Sequence, residues 1–181
     1  MKKTKPPTWA DVKISLDRID RGGLIGVIRD LYQAGDINRR FLHARFASAA
    51  PVLEEYRRLV RAAVFPDPFS QRPIQLREGT RTIAEYKRAT GDLAGTVDLM
   101  LEFVEAGTDQ AADLGYGEEA YFGTLERKMK DIVKALDALP EADRRAAAAR
   151  VVKLGEYQGT IGWGYGDFLG DVAAQLQDRE R

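Results

Sequence analysis

The sequence has no cysteine among its 181 residues and only one histidine, His43. The absence of cysteine excludes a disulfide framework, a thiol nucleophile and any zinc or iron–sulfur site built on cysteine ligands. A single histidine also excludes the paired Glu-x-x-His motifs of di-iron helical bundles. Neither a Gly-x-Ser-x-Gly nor a His-Glu-x-x-His motif occurs. We therefore assign no catalytic residue, no metal and no cofactor, and we favour a protein that is not an enzyme.

Long apolar runs are also missing, which argues against a membrane protein. The N-terminus "MKKTKPPTW" is basic, but prolines and a charged segment follow where a signal peptide needs apolar residues. The sequence therefore predicts a cytoplasmic protein. Its length suits a single domain, 1–181, with short mobile ends at residues 1–6 and 178–181.

Net charge is zero, yet the two halves of the chain differ strongly. Residues 1–90 carry 18 Lys and Arg against 10 Asp and Glu, a net charge of +8, whereas residues 91–181 carry 10 against 18, a net charge of −8. Such a division indicates either nucleic-acid binding by the basic half or complementary faces that meet within or between molecules. A pI near 6.6 favours complementary faces, because dedicated nucleic-acid binders are basic overall.

Apolar residues recur at helical spacing nearly throughout, and no segment alternates with the period of a strand. An early apolar face comprises Leu24, Ile25, Ile28, Leu31 and Tyr32. The following segment offers Ile37, Phe41, Leu42 and Phe46 to a core, and the strongest stripe runs from Tyr121 to Leu139. Helix pairs recur at about 20–49, 51–90, 92–139 and 141–177. We predict an all-α protein of about eight helices in an antiparallel array of helical hairpins, with a solenoid as the alternative.

The run "GTIGWGYGDFLGD", residues 159–171, is rich in glycine and aromatic residues. Its glycines do not have the spacing of a dinucleotide-binding loop, and the Gly-Lys-Ser/Thr ending of a P-loop is missing. Gly162, Gly166 and Gly170 repeat every four residues, so we predict a ridge on a helix that packs closely against the alanines at 146–149, with Trp163 and Tyr165 sealing the contact. The alternative is a ligand or peptide pocket bounded by Trp163, Tyr165 and Asp167.

Two groups of charged residues, one basic and one acidic, could each bind a ligand. Arg39, Arg40, His43 and Arg45 could form an anion site, although a solvated basic face is the simpler interpretation. An acidic stripe on one helix face consists of Asp98, Glu102, Glu105, Asp109 and Asp113. These carboxylates could hold Mg²⁺ or Ca²⁺, but we favour the polar side of an amphipathic helix.

Arginines and lysines are frequent between residues 57 and 88. The arginines at 57, 58 and 61 are predicted to face away from the core. Further arginines follow at 72, 77, 81 and 88, together with Lys87. They could contact phosphates, but we favour solubility or a protein contact because the aromatic residues fall in predicted core stripes.

Five segments resemble a family of small bacterial proteins catalogued as a domain of unknown function. They are "RDLYQAG", "FLHARF", "EYKRATGD", "GTLERKMKDIVKAL" and the glycine-rich run. The resemblance spans about residues 22–176, and its most specific element is the Gly-Ile-Gly-Trp-Gly-aromatic run. It implies a bacterial, mostly helical protein and carries over no catalytic residues.

These observations rank three functions. The first is a cytoplasmic protein-interaction or regulatory domain without intrinsic catalysis, bound to a protein partner or to itself. The second is nucleic-acid binding through the basic N-terminal half. The third is an enzyme or small-ligand binder with a site near Trp163 or His43.

Overall fold

A computed structural model gives the structure of residues 6–46 and 49–179. These residues form helices and connections without any strand, so the predicted all-α array is confirmed. The nine α-helices are α1 (Trp9–Leu16), α2 (Arg21–Ala34), α3 (Asp36–Phe46), α4 (Ala49–Val64), α5 (Leu76–Thr90), α6 (Leu93–Leu114), α7 (Glu119–Leu136), α8 (Glu141–Leu154) and α9 (Tyr165–Arg179). Short 3₁₀ turns occupy Pro68–Ser70 and Gly155–Tyr157. Helix α1 adds to the predicted set of about eight, since no buried stripe marks it in the sequence.

Helix boundaries follow local backbone chemistry. Gly91 ends α5 with φ 68°, in the left-handed region that glycine adopts without strain. Asp92 then begins α6, and its carboxylate accepts a hydrogen bond from the Gly95 amide at 3.1 Å. Both features are local preferences of these residue types. Asp20 caps α2 in the same way, through the Gly23 amide at 2.7 Å.

Helix α6 is the centre of the core. It packs against α4, α5, α7 and α8, and most of its side chains are buried. Leu99, Phe103 and Val104 are fully buried. The stripe predicted on α7 supplies the facing surface, with Leu125 and Ile132 also fully buried. Alternate helices stack as well, α3 on α5, α4 on α6 and α6 on α8, which is typical of stacked helical hairpins.

Helices α1 and α2 form what we call the N-terminal arm. Neither helix contains a buried residue. Helix α2 packs on α3, which in turn lies on α5, so the arm is attached to the rest of the protein through α3. The apolar face of α2 predicted from the sequence is present, but no core covers it. Ile37 and Phe46 on α3 are exposed too, and the prediction that they enter a core is wrong.

The ends of the chain were predicted to be mobile. Residues 1–5 and 180–181 lie outside the described residues, whereas Asp178 and Arg179 belong to α9. Mobility of the ends therefore stays a prediction. No described helix combines the length and apolar character needed to cross a bilayer.

Candidate interaction surface

Tyr165 of the glycine-rich run is a core residue. Its ring is fully buried and stacks on Phe122 at a centroid distance of 5.0 Å. Thr108 donates its hydroxyl hydrogen to the Val104 carbonyl at 2.8 Å, so Tyr165 is the donor in the 2.9 Å contact between the two hydroxyls. Burial raises the pKa of Tyr165 above its usual value. These contacts of Tyr165 are with α6 and α7, whereas the prediction placed it at a contact with the alanine-rich helix α8.

Trp163 does not seal the helix contact. Its side chain is 68% exposed, and its backbone adopts a φ of 60°, a region that residues other than glycine rarely occupy. The indole borders a groove of about 910 Å³ between α5 and α7, where Arg77 and Arg127 also lie. Asp167 is exposed and does not line this groove. Because Tyr165 is in the core, the three residues of the predicted pocket do not form one cavity.

The predicted glycine ridge needs correction. Gly162 precedes α9, and a Cβ atom at this position would meet no atom within 4 Å. A Cβ atom at Gly166 would lie 2.7 Å from the Tyr157 carbonyl oxygen, and one at Gly170 would lie 2.4 Å from the Gln158 side chain. Because Gly166 and Gly170 have no side chain, the segment that connects α8 to α9 can pack directly against the backbone of α9. The atoms nearest to these two positions belong to that segment and not to the alanine-rich surface of α8.

The basic residues of α3 do not converge on an anion site. Arg39 pairs with Asp36 on its own helix. Arg40 reaches the buried Glu85 of α5, with 3.6 Å between Nε and Oε1. Arg45 donates a hydrogen bond to the Ala89 carbonyl at 3.1 Å. His43 lies 3.1 Å from the Tyr32 hydroxyl.

Each of these side chains has a different partner, and the contacts of Arg40, Arg45 and His43 hold α3 to α5 and α2.

The acidic stripe of α6 forms ion pairs with arginines of two neighbouring helices. Arg57 of α4 contacts Asp98 at 2.7 Å, and Arg61 contacts Glu102 at 2.9 Å. Arg61 also lies 3.2 Å from Asp109. The carboxylates therefore face the interfaces with α4 and α8, and the prediction of a solvated polar side is wrong for them. Asp113, at the end of the stripe, is exposed.

Arg150 of α8 makes the contacts on the other side of the stripe. Its guanidinium lies 2.5 Å from Glu105 and 2.7 Å from Asp98. Burial opposes the charged form of Arg150, but the hydrogen bonds and charges of Glu105 and Asp98 outweigh it and raise the pKa of the guanidinium. No group of acidic residues and histidine within the described ranges has a geometry that could hold a metal ion. Through Arg57 and Arg61 of α4, the basic half of the chain thus meets the acidic half at the stripe, whereas Arg150 belongs to the acidic half itself.

Ten of the exposed large apolar side chains belong to the N-terminal arm and the start of α3. We call them together the N-terminal apolar surface, and they are Trp9, Val12, Ile14, Ile19, Ile25, Val27, Ile28, Leu31, Tyr32 and Ile37. Trp9 is 71% exposed, Ile25 57% and Leu31 51%. Single exposed apolar residues are ordinary, but this many within 29 consecutive positions are not.

Helix α2 presents the densest part of this surface. Ile25, Ile28 and Tyr32 follow one another at spacings of three and four residues, so they share a face of the helix. Polar contacts fix that helix on α3, since the Asn38 amide donates to the Leu31 carbonyl at 2.8 Å and Tyr32 reaches His43. The structure thus holds the face in position without covering it.

No family model, curated protein or solved structure matches the chain.

The sequence analysis identified the apolar face of α2 but could not show that it lacks a covering helix. The sequence analysis also did not identify Arg150 as the partner of the acidic stripe. The one sequence feature that marks this residue is its position at the end of the alanine run of α8. Exposure and long-range pairing depend on which helices become neighbours, and helical spacing does not specify this.

Proposed function

We propose that this chain is a cytoplasmic protein-interaction domain without intrinsic catalysis, and that the N-terminal apolar surface is its binding site. The single observation that carries the proposal is the arm itself: two helices with no buried residue and a series of exposed aliphatic side chains. Large apolar patches on otherwise polar proteins mark sites that a partner covers.

The energetics support a binding role. Fully covering one Ile or Leu side chain contributes roughly 1.5 to 3 kcal/mol, so even partial burial of several such residues offsets the cost of association. The rest of the described protein does not need this surface, because its own core forms around α6. A surface that is costly to expose and unnecessary for the core is best explained by binding.

Photo-crosslinking tests this proposal directly. A photo-reactive phenylalanine analogue replaces Ile28 in the 181-residue chain, which is then expressed and irradiated in its source cells. The matched control carries the analogue at Phe69, an apolar residue that is 93% exposed but lies outside the surface. We expect a protein adduct from position 28 and none from position 69. Equal adducts from both positions, or none from either, would contradict the proposal.

A second candidate function, nucleic-acid binding, has its own supporting observation. Exposed Trp163 lies beside Arg77, and Arg77 begins a basic face of α5 that continues through Arg81 and Arg88. Single-stranded nucleic acids bind to such combinations, with bases stacked on aromatic rings and phosphates near arginines. Glu119 and Glu126 border the same groove and balance its charge, so phosphate contacts would fall on the outer face of α5.

Fluorescence anisotropy with a labelled single-stranded oligonucleotide tests this second function. We expect affinity to fall steeply with added salt and Trp163→Ala to weaken binding by roughly 1 to 3 kcal/mol. Arg144→Ala, on the distant helix α8, is the control and should leave affinity unchanged. Lack of binding at low salt, or binding that salt does not weaken, would exclude the basic face as a nucleic-acid site.

A further inference from the structure

We propose that the groove between α5 and α7 binds a small planar aromatic molecule that carries one carboxylate. Trp163 borders this groove, and its volume of about 910 Å³ lies within the range of about 300 to 1,000 Å³ that is typical of small-molecule sites. No residue of the N-terminal apolar surface lines the groove, so the inference goes beyond the proposed function and does not depend on it. Two residues that the fold does not need and two arginines without carboxylate partners carry the inference.

Trp163 is the first residue that the fold does not need. Its φ of 60° lies in the left-handed region, where a Cβ atom crowds the backbone and where glycine is unstrained. Its indole is 68% exposed, so burial in the core does not compensate for this strain. Backbone strain of this kind is found at binding sites. An aromatic ring stacked on the indole would supply the contact that the folded chain itself does not provide.

Gly123 is the second such residue. It lies inside α7, and glycine is one of the least favourable residues in a helix interior. At other helical glycines a close neighbour excludes a side chain, since a Cβ atom at Gly107 of α6 would lie 2.5 Å from the Leu125 side chain. At Gly123 a Cβ atom would meet only the end of the Arg127 side chain, at an ordinary 3.6 Å. The glycine leaves the wall of the groove bare, so a planar ring can approach the backbone of α7 closely.

Arg77 and Arg127 lie on opposite walls of the groove, one on α5 and the other on α7. Neither forms an ion pair with a carboxylate of the residues that the structure describes, whereas the arginines at the acidic stripe all do. Arg127 donates a hydrogen bond at 2.9 Å to the Thr124 hydroxyl, which is a neutral acceptor. A guanidinium group binds a carboxylate through two parallel hydrogen bonds. The two side chains therefore favour an anionic group on the ligand.

The charges of the groove favour a single carboxylate over a phosphate. The formal charges of the two arginines, Glu119 and Glu126 cancel, but Glu126 pairs at 3.5 Å with Lys130, which does not line the groove. Two guanidinium groups and the Glu119 carboxylate remain, an excess of one positive charge. A monoanion neutralises this excess. A phosphate monoester carries about −1.5 to −2 at pH 7, and Glu119 would repel it more strongly.

Isothermal titration calorimetry of the 181-residue chain with naphthoate tests the proposal. Naphthoate combines two fused aromatic rings with one carboxylate, and we expect saturable binding of one molecule per chain. Three matched ligands separate the contributions. Naphthamide lacks the charge, cyclohexanecarboxylate lacks the aromatic ring, and naphthyl phosphate carries the larger charge. Each should bind at least roughly 10-fold more weakly than naphthoate, because each loses a charge-assisted hydrogen bond, ring stacking or charge balance.

Three variants test the residues that carry the inference. Trp163→Gly should weaken naphthoate binding by roughly 10-fold or more, and its melting temperature should not fall, because glycine adopts a φ of 60° without strain. Gly123→Leu should abolish binding by filling the groove and should keep its far-UV circular dichroism spectrum, since leucine favours a helix. Arg127→Gln should weaken binding by roughly 10-fold. Arg144→Gln, on α8, is the control and should bind like the parent.

The outcomes also separate this inference from the other two functions. Absence of naphthoate binding, equal binding of naphthamide, or parental affinity in both Trp163→Gly and Gly123→Leu would overturn it. If naphthyl phosphate binds more tightly than naphthoate, the carboxylate is wrong, and oligonucleotide binding that depends on Trp163 would then assign the groove to nucleic acid. Crosslinking from position 28 reports on a different part of the molecule, so its result neither supports nor contradicts a ligand in the groove.

Discussion

The N-terminal arm and the helices around α6 are built from similar sequence patterns but reach opposite outcomes. Both α2 and α7 carry apolar residues at spacings of three and four. On α7 these residues are buried against α6, whereas on α2 they remain exposed. The difference lies in the neighbours, since α6 is surrounded by four helices and α2 packs on α3. Amphipathic character thus shows that a helix face requires a partner, and only the packing shows whether the chain itself supplies one.

Truncating one residue in each region should give the largest contrast in stability. Leu125→Ala removes a fully buried side chain of α7, and we expect the free energy of unfolding to fall by roughly 2 to 5 kcal/mol. Ile28→Ala, on the arm, should change it by less than about 0.5 kcal/mol. Urea unfolding of both variants measures this difference. Equal losses would mean that α2 belongs to the same core as α7.

Adding a methyl group should have opposite effects in the two regions. Gly166→Ala places a Cβ atom 2.7 Å from the Tyr157 carbonyl oxygen and 3.0 Å from that of Ile161, and should destabilise the protein by roughly 1 to 3 kcal/mol. Gly26→Ala meets nothing within 4 Å and should stabilise α2 by about 1 kcal/mol through helix propensity. Thermal melts report the first effect and hydrogen exchange of the α2 amides the second. Stabilisation by Gly166→Ala would show that the segment between α8 and α9 can shift to accommodate the added Cβ atom.

Alkaline pH should weaken the helices around α6 through their buried tyrosines. Burial raises the pKa of Tyr56, Tyr86, Tyr121 and Tyr165 above the usual value near 10. The unfolded chain therefore loses protons first, and stability that is fully present below about pH 10 is lost as the pH rises above it. Each tyrosine contributes at most about 1.4 kcal/mol per pH unit in that range.

Tyr165→Phe should reduce this pH dependence by about 1 kcal/mol per pH unit. Urea unfolding between roughly pH 9 and pH 11 measures the slope, and the parent chain is the reference. An unchanged slope would mean that Tyr165 ionises as readily in the folded protein as in the unfolded chain.

Much of the fold could be predicted from the sequence because helices are local structures. The boundary at Gly91 and Asp92 and the buried stripe of α7 both follow from residues a few positions apart. Helix α1 was missed, because its eight residues bury nothing and so give no apolar stripe. Local chemistry indicates where a helix begins and which face is apolar, but not every helix has such signals.

The candidate surface could be predicted only in part. The sequence identified the apolar face of α2, but its exposure depends on the absence of a covering helix from the described chain. The acidic stripe is the converse case. Asp98 and Glu105 suggested a solvated face, and Arg150, 45 to 52 positions further along the chain, turned out to be their partner. Both outcomes depend on contacts between distant segments.

Both tryptophans of the chain, Trp9 and Trp163, are largely exposed, at 71% and 68%. Indole emission depends on the polarity around the ring, so the fluorescence of the folded protein should already resemble that of an indole in water. Unfolding of the core around α6 would then change the emission wavelength very little. One indole stands on the N-terminal arm and the other at the groove between α5 and α7. Single Trp→Phe variants would therefore give one optical reporter for each candidate binding surface, and a blue shift would identify which surface a partner covers.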